Sequence, residues 1–388
     1  MQKGGIAIIG GGPGGLMLAR VLQHHGVAAT VFEREARTFE RQQGGSLDIH
    51  EPSGQWALKV AGLHDRFREL ARYDHQGGAI YDEHGRKRFE EPDFGSGTRP
   101  EIDRSQLRQI LLDSLDTDVV RWGVKVFEIS EKATGRFDVM DEAGLLGTFD
   151  LVVGADGAWS RVRPLLTAVK PAYSGVVAYD IRITSVDERH PDLAAMLPRG
   201  KISAIGRHRG LMAQRSSRGE IHIYLMLPVP EKDLLPGPVN LGSVETARCD
   251  MRNLLQGWAP SLLRFVEAFD ELPIQRPIVG LPAGFTWPHH HGVTLIGDAA
   301  HVMAPFGGEG VNLALQDAAE LGLALARHGI SDSTIEDVER RMMRRAEPAA
   351  TIGLEGIRGF VAEHALERVL RRFEAFSHGA REAAQPTR

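Results

Sequence analysis

The start of the chain shows an apolar run followed directly by a cluster of glycines. Residues 6–9 read Ile-Ala-Ile-Ile, the continuous apolar pattern of a strand buried on both faces, and five glycines and a proline occupy residues 10–15. Residues 16–25 have the apolar periodicity of a helix, and residues 28–32 predict a second buried strand. This order of strand, turn, helix and strand is typical of an α/β fold with a parallel sheet.

The glycines of this turn have the spacing of a phosphate-binding loop. Gly10, Gly12 and Gly15 satisfy the pattern G-x-G-x-x-G: the first permits a sharp turn, the second permits close approach of a pyrophosphate, and the third lets helix pack on strand. Pro13 and Gly14 complete the loop. The helix that follows would present its N-terminal N–H groups and positive dipole end to the anion.

An acidic residue stands where such a loop needs one. Glu33 ends the second predicted strand, about 20 residues after the glycines, where a carboxylate can accept both hydroxyls of an adenosine ribose. A carboxylate also rejects a 2′-phosphate, so FAD or NAD is favoured over NADP. The neighbouring Arg34 is included in this expected site. The alternative is an ordinary glycine-rich turn that binds nothing.

Composition narrows the class of protein. The chain has 388 residues, 42% hydrophobic and 25% charged, which allows two domains and is ordinary for a soluble globular protein. A net charge of −5 offers no basic surface for nucleic acid. The single cysteine, Cys249, excludes a disulfide framework. With no signal peptide and no apolar run of ~18 residues, we expect a cytoplasmic monomer that binds neither nucleic acid nor membrane.

Two further segments carry glycine or charge in unusual places. Gly44 and Gly45 precede a short strand that contains Asp48, which indicates either a backbone passing close to another group or a bulge at a strand edge. A helix is expected over residues 54–62. Asp103 is expected to cap another helix, with Arg104 in its first turn. Because a cation there opposes the helix dipole, Arg104 is either a ligand contact or a surface residue.

The middle of the chain changes to short alternating segments. They predict antiparallel strands over residues 176–183, 201–205, 211–214 and 221–227, followed by a helical stretch at 244–269. His222 either bonds a substrate or is satisfied by surface water. Met212 is more typical of core. Three consecutive histidines at 289–291 predict a solvated turn and no metal site, since their imidazoles cannot converge.

Two later strand-to-turn junctions repeat the pattern of the first. A buried strand up to Gly154 runs into a turn that bears Asp156. Another buried strand ends at Gly297 and Asp298, and a loop with Pro305 and three glycines then leads to a helix expected from near residue 311 to about 327. Since α/β sheets place ligand contacts at the carboxyl ends of their strands, Asp298 is expected to contact a ligand.

These three stretches together resemble the group A flavoprotein monooxygenases, the single-component aromatic hydroxylases built like para-hydroxybenzoate hydroxylase. The resemblance implies an α/β protein with a Rossmann-like FAD-binding domain, an inserted antiparallel-sheet substrate domain and a C-terminal bridging helix. We assign the FAD-binding domain to residues 1–63, 99–171 and 272–348. We assign the substrate domain to 64–98 and 172–271, the C-terminal helix to 349–376, and a disordered tail to 377–388.

The resemblance also implies where FAD would lie. Pro305, Gly307 and Gly310 would lie near the isoalloxazine, Asp48 and Arg104 against the flavin, and Asp298 on the ribityl chain. The full expected cofactor site is Gly10, Gly12, Pro13, Gly14, Gly15, Glu33, Arg34, Asp48, Arg104, Asp156, Gly297, Asp298, Gly308, Gly310, Val311 and Asn312.

Within this family, residues 44–50 and 100–108 are similar to segments of the tetracycline-inactivating monooxygenases. The substrate-contacting Gln of that subgroup falls on Ala178, its Arg near Lys201 and its His on His222, and Met212 completes the expected substrate set. The chain departs from the family at Glu309, where Gln is usual, and at 304, where Ala replaces a second Pro. A carboxylate at 309 would oppose an anionic reduced flavin.

The resemblance implies an FAD-dependent monooxygenase that consumes NADPH or NADH and molecular oxygen. It would hydroxylate a polycyclic aromatic or polyketide, phenolic or enolic substrate through a flavin C4a-hydroperoxide, with tetracyclines as first candidates. Since the chain has one dinucleotide fingerprint, NAD(P)H would bind only transiently. The alternative is a flavin-binding reductase or redox sensor without hydroxylase activity.

Overall fold

The computed structural model describes residues 5–36, 44–74, 76–91 and 98–371. In chain order the strands of this part are β1 Gly5–Ile9, β2 Ala29–Glu33, β3 Ser46–Asp48, β4 Gly78–Asp82, β5 Lys87–Glu91, β6 Glu101–Asp103, β7 Val120–Trp122, β8 Glu128–Glu131, β9 Phe137–Asp141, β10 Gly144–Gly154, β11 Ala172–Ile183, β12 Lys201–Gly206, β13 Arg209–Arg215, β14 Ile221–Pro228, β15 Ile274–Gly280 and β16 Val293–Leu295.

The helices of the same ranges are numbered separately. In chain order they are α1 Pro13–His24, α2 Trp56–Val60, α3 His64–Leu70, α4 Arg104–Asp113, α5 Val186–Arg189, α6 Pro191–Met196, α7 Val244–Leu254, α8 Pro260–Leu263, α9 Asp298–His301, α10 Glu309–His328 and α11 Asp332–Phe360. Short turns of other helix types lie at Glu51–Gln55, Arg163–Leu165, Glu231–Asp233 and Arg264–Val266. None of the helices in the described ranges combines the length and apolar character that a membrane crossing needs.

The first sheet has a parallel core. Its strands run in the order β7-β2-β1-β10, and β16 pairs in parallel with the second half of β10. Numbered by their appearance in the chain, these five strands lie 3-2-1-4-5, the doubly wound order of dinucleotide-binding folds. The central strand β1 is buried on both faces, with Ile8 fully buried, which explains its continuous apolar run. The expected Rossmann-like part is confirmed.

The second sheet supplies two different faces. Its order is β15-β11-β14-β13-β12-β4-β5, antiparallel except between β12 and β4. One face, including Val177, Ile223 and Leu211, packs with side chains of α6, α7 and α8 in an apolar core. On the other face, directly opposed residues include Ala178 and Met226, and further along Gln214 and His222. The expected antiparallel sheet is confirmed.

A two-stranded ribbon lies between these sheets. In it β3 and β6 pair antiparallel, with Asp48 opposite Glu101 and Leu47 opposite Ile102. Leu47 and Ile102 pack into the core around the first sheet, so the alternation of a strand directs Asp48 and Glu101 to the other side. The ribbon therefore turns a row of acidic side chains toward the second sheet.

The C-terminal helix differs from its expected bounds. We expected it over residues 349–376, but α11 already begins at Asp332 and ends at Phe360, and residues 365–371 form a further helical stretch. Residues 372–376 and the expected disordered tail lie outside the described residues. The bridging role is confirmed: Phe360 packs with Ala178 of the second sheet, and Gly356 lies against Phe306 of the loop after β16.

Several smaller expectations need correction. Helix α1 begins at Pro13 rather than residue 16, because Pro suits the first helical position. The expected helix at 244–269 ends at Leu254 and resumes in short turns. Strand β15 pairs with β11, so residues 274–280 join the second sheet, and α3 contributes Phe67 to the first core. Both segments were assigned to the opposite domain from sequence.

Candidate active site

The turn between β1 and α1 has the geometry that its glycines predict. A Cβ at Gly10 would lie 2.4 Å from the Ala155 carbonyl oxygen, and one at Gly15 would lie 2.0 Å from the Gly10 carbonyl oxygen. A Cβ at Gly12 would meet nothing within 4 Å. The first and third glycines are therefore needed for packing, while the second faces open space at the N-terminus of α1. This is where a pyrophosphate can approach the backbone.

Glu33 is held beside this turn by main-chain donors. Its Oε2 accepts a hydrogen bond from the Gly11 N–H at 2.6 Å, and its Oε1 accepts one from the Glu35 N–H at 2.9 Å. Each carboxylate oxygen keeps a further lone pair for a ribose hydroxyl. Arg34 is exposed at the end of the same strand.

The loop after β16 forms the other end of the expected cofactor site. Asp298 is exposed at the start of α9, at the carboxyl end of its strand. Gly308 has a φ of 72° and caps α10, while a Cβ at Gly310 would meet nothing within 4 Å. Pro305 and Gly307 are also exposed. An open helix N-terminus thus faces the same side as the first turn.

Asn312 joins the ribbon to this helix. Its side chain is fully buried: Nδ2 donates to the carbonyl oxygens of Asp48 and Gly308, both at 2.9 Å, and Oδ1 accepts from the His50 N–H at 2.8 Å. Both amide hydrogens are therefore bound to protein. The side chain positions Asp48, and a cofactor contact by residue 312 would come from its backbone. Val311 is partly buried against the first core.

A buried charge cluster supports the turn before Asp298. Asp317 Oδ2 accepts from the Gly297 N–H at 3.2 Å and lies 2.6 Å from His301 Nε2, and its Oδ1 accepts from Arg345 at 3.0 Å. Burial alone would lower the pKa of His301, but Asp317 holds that pKa above its usual value. The imidazole is therefore favoured in its charged form, which compensates the buried carboxylate.

Asp48, the last residue of ribbon strand β3, lies against the loop after β16. A Cβ at Gly308 would lie 2.4 Å from Asp48 Oδ1. Arg99 Nη2 lies 3.3 Å from Asp48 Oδ2. Burial would raise the pKa of Asp48, but the hydrogen bond from His50 and the charges of Lys201 and Arg99 outweigh it and hold the pKa below its usual value. Asp48 is therefore ionised near neutral pH.

The structure also explains how the chain accommodates Glu309. His50 Nδ1 lies 3.5 Å from Glu309 Oε1. Burial would lower the pKa of His50, but its bonds to Asp48 and Glu309 raise it. His50 also lies 2.6 Å from the Arg99 guanidinium through its Nε2, so a positive charge stands in the same cluster as the carboxylate that takes the place of the usual Gln.

The turn after β10 is tied to the same region. Asp156 Oδ2 accepts from the Arg161 N–H at 2.6 Å, and its Oδ1 is buried without a hydrogen-bond partner among the described residues. Burial raises the pKa of Asp156 against the opposing bond from Ser160. Arg163 is 3% exposed and donates to the Ala299 carbonyl oxygen at 2.9 Å. Arg163 therefore joins this turn to α9.

The ribbon lies close against the polar face of the second sheet, and we refer to the region lined by Glu101, Gln214 and His222 as the cleft. A Cβ at Gly45 would lie 3.2 Å from the Cβ of His222, and one at Gly44 would lie 3.1 Å from the Tyr224 hydroxyl. A side chain at either position would force its neighbour to move by a few tenths of an ångström, so glycine favours this close approach, as the first of the two alternatives held. His222 is 9% exposed, so it is not satisfied by surface water as one alternative held.

Glu101 is the most buried acid of the cleft, at 1% exposure. Its Oε1 accepts from Gln214 Nε2 at 2.9 Å, and its Oε2 lies 3.9 Å from Arg72 Nη2. Burial raises the pKa of Glu101 to about 7, although Lys201, Gln214 and Arg72 oppose the shift. The cleft therefore contains a carboxyl group that exchanges its proton near neutral pH.

The four expected substrate residues separate into two groups. His222 and Lys201 lie near the ribbon, Lys201 close enough to act on the charges of Asp48 and Glu101. Ala178 is 3% exposed and packs with Met226 and Phe360, and Met212 packs against the same cluster. Arg104 lies in the first turn of α4, as expected, and close enough to act on the charge of Tyr224.

Sequence reasoning missed Glu101, Gln214, Arg72 and Tyr224 as residues of the cleft. A signal existed at residues 101–103, where Glu-Ile-Asp alternates polar and apolar side chains as a half-buried strand does. The expected solvated turn at 289–291 holds for His290 and His291, which are 39% and 57% exposed, but not for His289, whose Nδ1 lies 2.9 Å from the buried Glu339 of α11.

The residues present fit FAD. Two helix N-termini have open space where Gly12 and Gly310 lack a Cβ, Glu33 is oriented for a ribose, and exposed Asp298 can bind a ribityl hydroxyl.

Comparison with known proteins supports this fit. The sequence matches the family described as FAD binding domain over residues 4–229 and 286–337. Monooxygenase penA of Penicillium thymicola is 32% identical over 362 residues, covering 81% of this chain and 83% of its own. Monooxygenase asqM of Emericella nidulans is 31% identical over 372 residues, covering 83% of this chain and 84% of its own.

Solved structures show the same fold. Klebsiella pneumoniae HpxO, complexed with FAD and uric acid, superposes with a TM-score of 0.78 at 21% identity over 97% of this chain and 92% of its own. Tetracycline destructase Tet(51) superposes with a TM-score of 0.73 at 18% identity over 99% of this chain and 100% of its own. At such identities the likeness to the tetracycline-inactivating enzymes is one of fold.

The relatives that share about a third of their residues with this chain are monooxygenases, which sets aside a reductase or redox sensor without hydroxylase activity. The glycine turn, Glu33 and the open end of α10 are the structural counterpart of the family match. The chain belongs to the FAD binding domain family and is an FAD-dependent monooxygenase of group A.

Proposed function

We propose that the chain hydroxylates a small phenolic or enolic substrate with a polycyclic aromatic or polyketide skeleton, bound in the cleft between the ribbon and the second sheet. The observation that carries this proposal is the buried polar group formed by Glu101 of the ribbon with Gln214 and His222 of the second sheet, beside Asp48 and Gly308. A carbon skeleton without oxygen would leave Glu101 Oε2 and His222 Nδ1 without a hydrogen bond, at a cost of ~1–3 kcal/mol each.

The cofactor would lie between the first turn and the loop after β16. Its proposed contacts remain the expected set: Gly10, Gly12, Pro13, Gly14, Gly15, Glu33, Arg34, Asp48, Arg104, Asp156, Gly297, Asp298, Gly308, Gly310, Val311 and Asn312. Bound FAD, once reduced, activates molecular oxygen for transfer to carbon. Asp48 and Arg104 would hold the flavin edge, and the first sheet would form the FAD-binding domain, the second the substrate domain.

The chain's own residues would orient the substrate and exclude water. Phe360 and Ile357 of α11 cover the apolar part of the sheet face at Ala178, so the polar part near His222 is left for a ligand. Lys201 supplies a positive charge there. The reductant would be NADPH or NADH in transient contact, because the one dinucleotide site is used by FAD.

The test is oxygen incorporation. Purified enzyme is incubated with NADPH or NADH, oxygen and a panel of simple phenols, fused polycyclic phenols, enolic polyketides and tetracyclines. We expect a mass gain of one oxygen atom on at least one polycyclic member, with matching NAD(P)H consumption. Gly12→Val, which blocks the open side of the first turn, serves as the flavin-poor control. Oxygenation of simple phenols alone contradicts the polycyclic class.

Tetracyclines stay in the panel because residues 44–50 and His222 resemble the enzymes that inactivate them. Ala178 in place of Gln and Lys201 in place of Arg remove hydrogen bonds worth ~1 kcal/mol each. We therefore expect tetracyclines to react with a KM raised severalfold relative to the best polycyclic phenol. Equal or lower KM values for tetracyclines would make them the substrate class itself.

A further inference from the structure

Two buried polar atoms of the cleft lack partners in the same place. Among the residues that the structure describes, neither Glu101 Oε2 nor His222 Nδ1 makes a hydrogen bond. Glu101 is 1% and His222 9% exposed. Because buried polar atoms nearly always have a partner, two such atoms in one region indicate a ligand.

Gln214 links the residues that carry these two atoms. It lies directly opposite His222 in the register of β13 and β14, and its Nε2 donates to Glu101 Oε1 at 2.9 Å. A Cβ at Gly45 would lie 3.2 Å from His222 and 3.5 Å from Gln214 Oε1. The three side chains therefore form one continuous wall against the glycines of the ribbon.

The second oxygen of Glu101 has Arg72 as an ion-pair partner, at a distance longer than a hydrogen bond. Arg72 donates to Asp103 Oδ1 from 2.9 Å and also bonds Ser46, so it stays 3.9 Å from Glu101 Oε2. Lys201 on β12 opposes the negative charge, and Asp48, opposite in the ribbon, adds to it. Burial raises the pKa of Glu101 to about 7. Near neutral pH this carboxyl group can both accept and release a proton.

We propose that Glu101 is the general base of the substrate cleft: its Oε2 accepts the proton of the substrate's phenolic or enolic hydroxyl, while His222 bonds a second oxygen of the same substrate. This rests on the proposed function. The substrate O–H bond breaks, an O–H bond forms on Glu101, and the negative charge moves to the substrate oxygen near Lys201. The resulting oxyanion donates electron density into its ring or double bond, which favours attack on electrophilic oxygen.

The inference is tested by binding, separately from turnover. The probe is 2-naphthol, a fused phenol whose hydroxyl stays protonated from about pH 6 to 8, titrated into the FAD-loaded enzyme under air-oxidised conditions without NAD(P)H and followed by the flavin absorbance. A group with a pKa of about 7 is about tenfold more ionised at the upper pH. We expect the Kd of the wild type to fall about tenfold across this range.

Glu101→Gln keeps the shape of the side chain and removes its titration. Its Kd should change less than about twofold over the same range. Asp82→Asn is the matched control: Asp82 is also a buried carboxyl, 3% exposed, but it is bonded to Arg86 in the β4–β5 turn, and this variant should keep the tenfold change. An unchanged pH dependence in Glu101→Gln, a flat wild-type profile, or no binding of 2-naphthol at any pH overturns the proposal.

Turnover gives a second, independent measurement. On the best substrate of the panel, Glu101→Gln should lower kcat by about 100-fold, the lower end of general-base catalysis, and remove the rise of kcat/KM with pH near neutrality. A substrate analogue whose hydroxyl is already ionised should be oxygenated equally by both forms. An equal loss of kcat with the substrate and with the ionised analogue would show a structural defect and contradict the role of general base. Failure of oxygenation altogether, with the binding profile intact, would contradict the proposed reaction and not the role of Glu101 in binding.

Discussion

The turn at residues 10–15 and the cleft under the ribbon offer a ligand different kinds of groups. The turn relies on main-chain groups of consecutive residues, with open space at Gly12, and its one acid, Glu33, is held by two backbone N–H groups. The cleft relies on side-chain charges from distant segments, among them Glu101 and Lys201. Its polar atoms are incompletely paired within the described chain.

This difference has a consequence for specificity. A backbone site recognises a feature shared by many ligands, the pyrophosphate, and its requirements do not change with pH. A cluster of buried charges depends strongly on each member. A low dielectric makes each ion pair stronger and each unpaired buried group more costly. One substitution in the cleft can therefore change the substrate while the cofactor stays the same.

The first prediction tests whether the cofactor end, despite its backbone contacts, also depends on a buried charge, that of Asp317. Asp317→Ala leaves the buried His301 without its carboxylate, while Arg345 keeps Glu320 as a partner, so we expect the free energy of unfolding to fall by ~3–5 kcal/mol, with loss of FAD. Urea unfolding and flavin absorbance measure this. Asp332→Ala, at a 56%-exposed acid, is the control and should cost less than ~1 kcal/mol. Similar losses in both variants would contradict the buried-charge explanation.

The second prediction concerns pH and the cleft. The pKa of Glu101 is raised to about 7 in the folded protein, so the folded state holds this proton more tightly than the unfolded chain does. Its contribution to stability is full below the unfolded pKa of about 4.5 and is lost as pH rises to about 7. Thermal unfolding should show that the free energy of unfolding of Glu101→Gln rises relative to that of the wild type as pH increases over this range, by on the order of 3 kcal/mol. A constant difference would contradict the shift.

The third prediction separates packing from binding within the first turn. Gly12→Val places its side chain in open space, so the protein should fold but bind FAD at least ~30-fold more weakly, or ~2 kcal/mol. Gly359→Ala, also in open space but within α11, should retain FAD. Equilibrium titration of the FAD-free protein with FAD measures both. Unaltered affinity in Gly12→Val would mean that the pyrophosphate lies elsewhere.

The smallest expected effect is at His222. Removing a ground-state contact by His222→Ala should raise KM about fivefold, or ~1 kcal/mol, and lower kcat by less than about twofold. This contrasts with Glu101→Gln, where kcat falls most. His84→Ala, at a 60%-exposed side chain, is the control. Steady-state kinetics on the best substrate decides, and an unchanged KM would place His222 outside the substrate site.

Local signals predicted much of this molecule. Short stretches of sequence were enough to recognise the glycine spacing at 10–15, the acid at 33 and the turn at 297–298. Strand alternation predicted β11 to β14 within a few positions. The substrate contacts expected of Ala178 and Met212 stay predictions. Their positions on the sheet face were readable, but α11 lies over that part of the face, and no short-range pattern shows which helix covers which half of a sheet.

By itself the sequence determined the family, the doubly wound sheet and the place of the pyrophosphate, because these depend on backbone geometry and periodicity within a few turns of chain. Only the tertiary structure decided the cleft. Glu101 is an ordinary surface-type residue in sequence, and it becomes a buried acid because β3 and β13, 53 and 113 positions away at Asp48 and Gln214, close over it. Charge and burial at such a point are sums over distant groups, so no local pattern contains them.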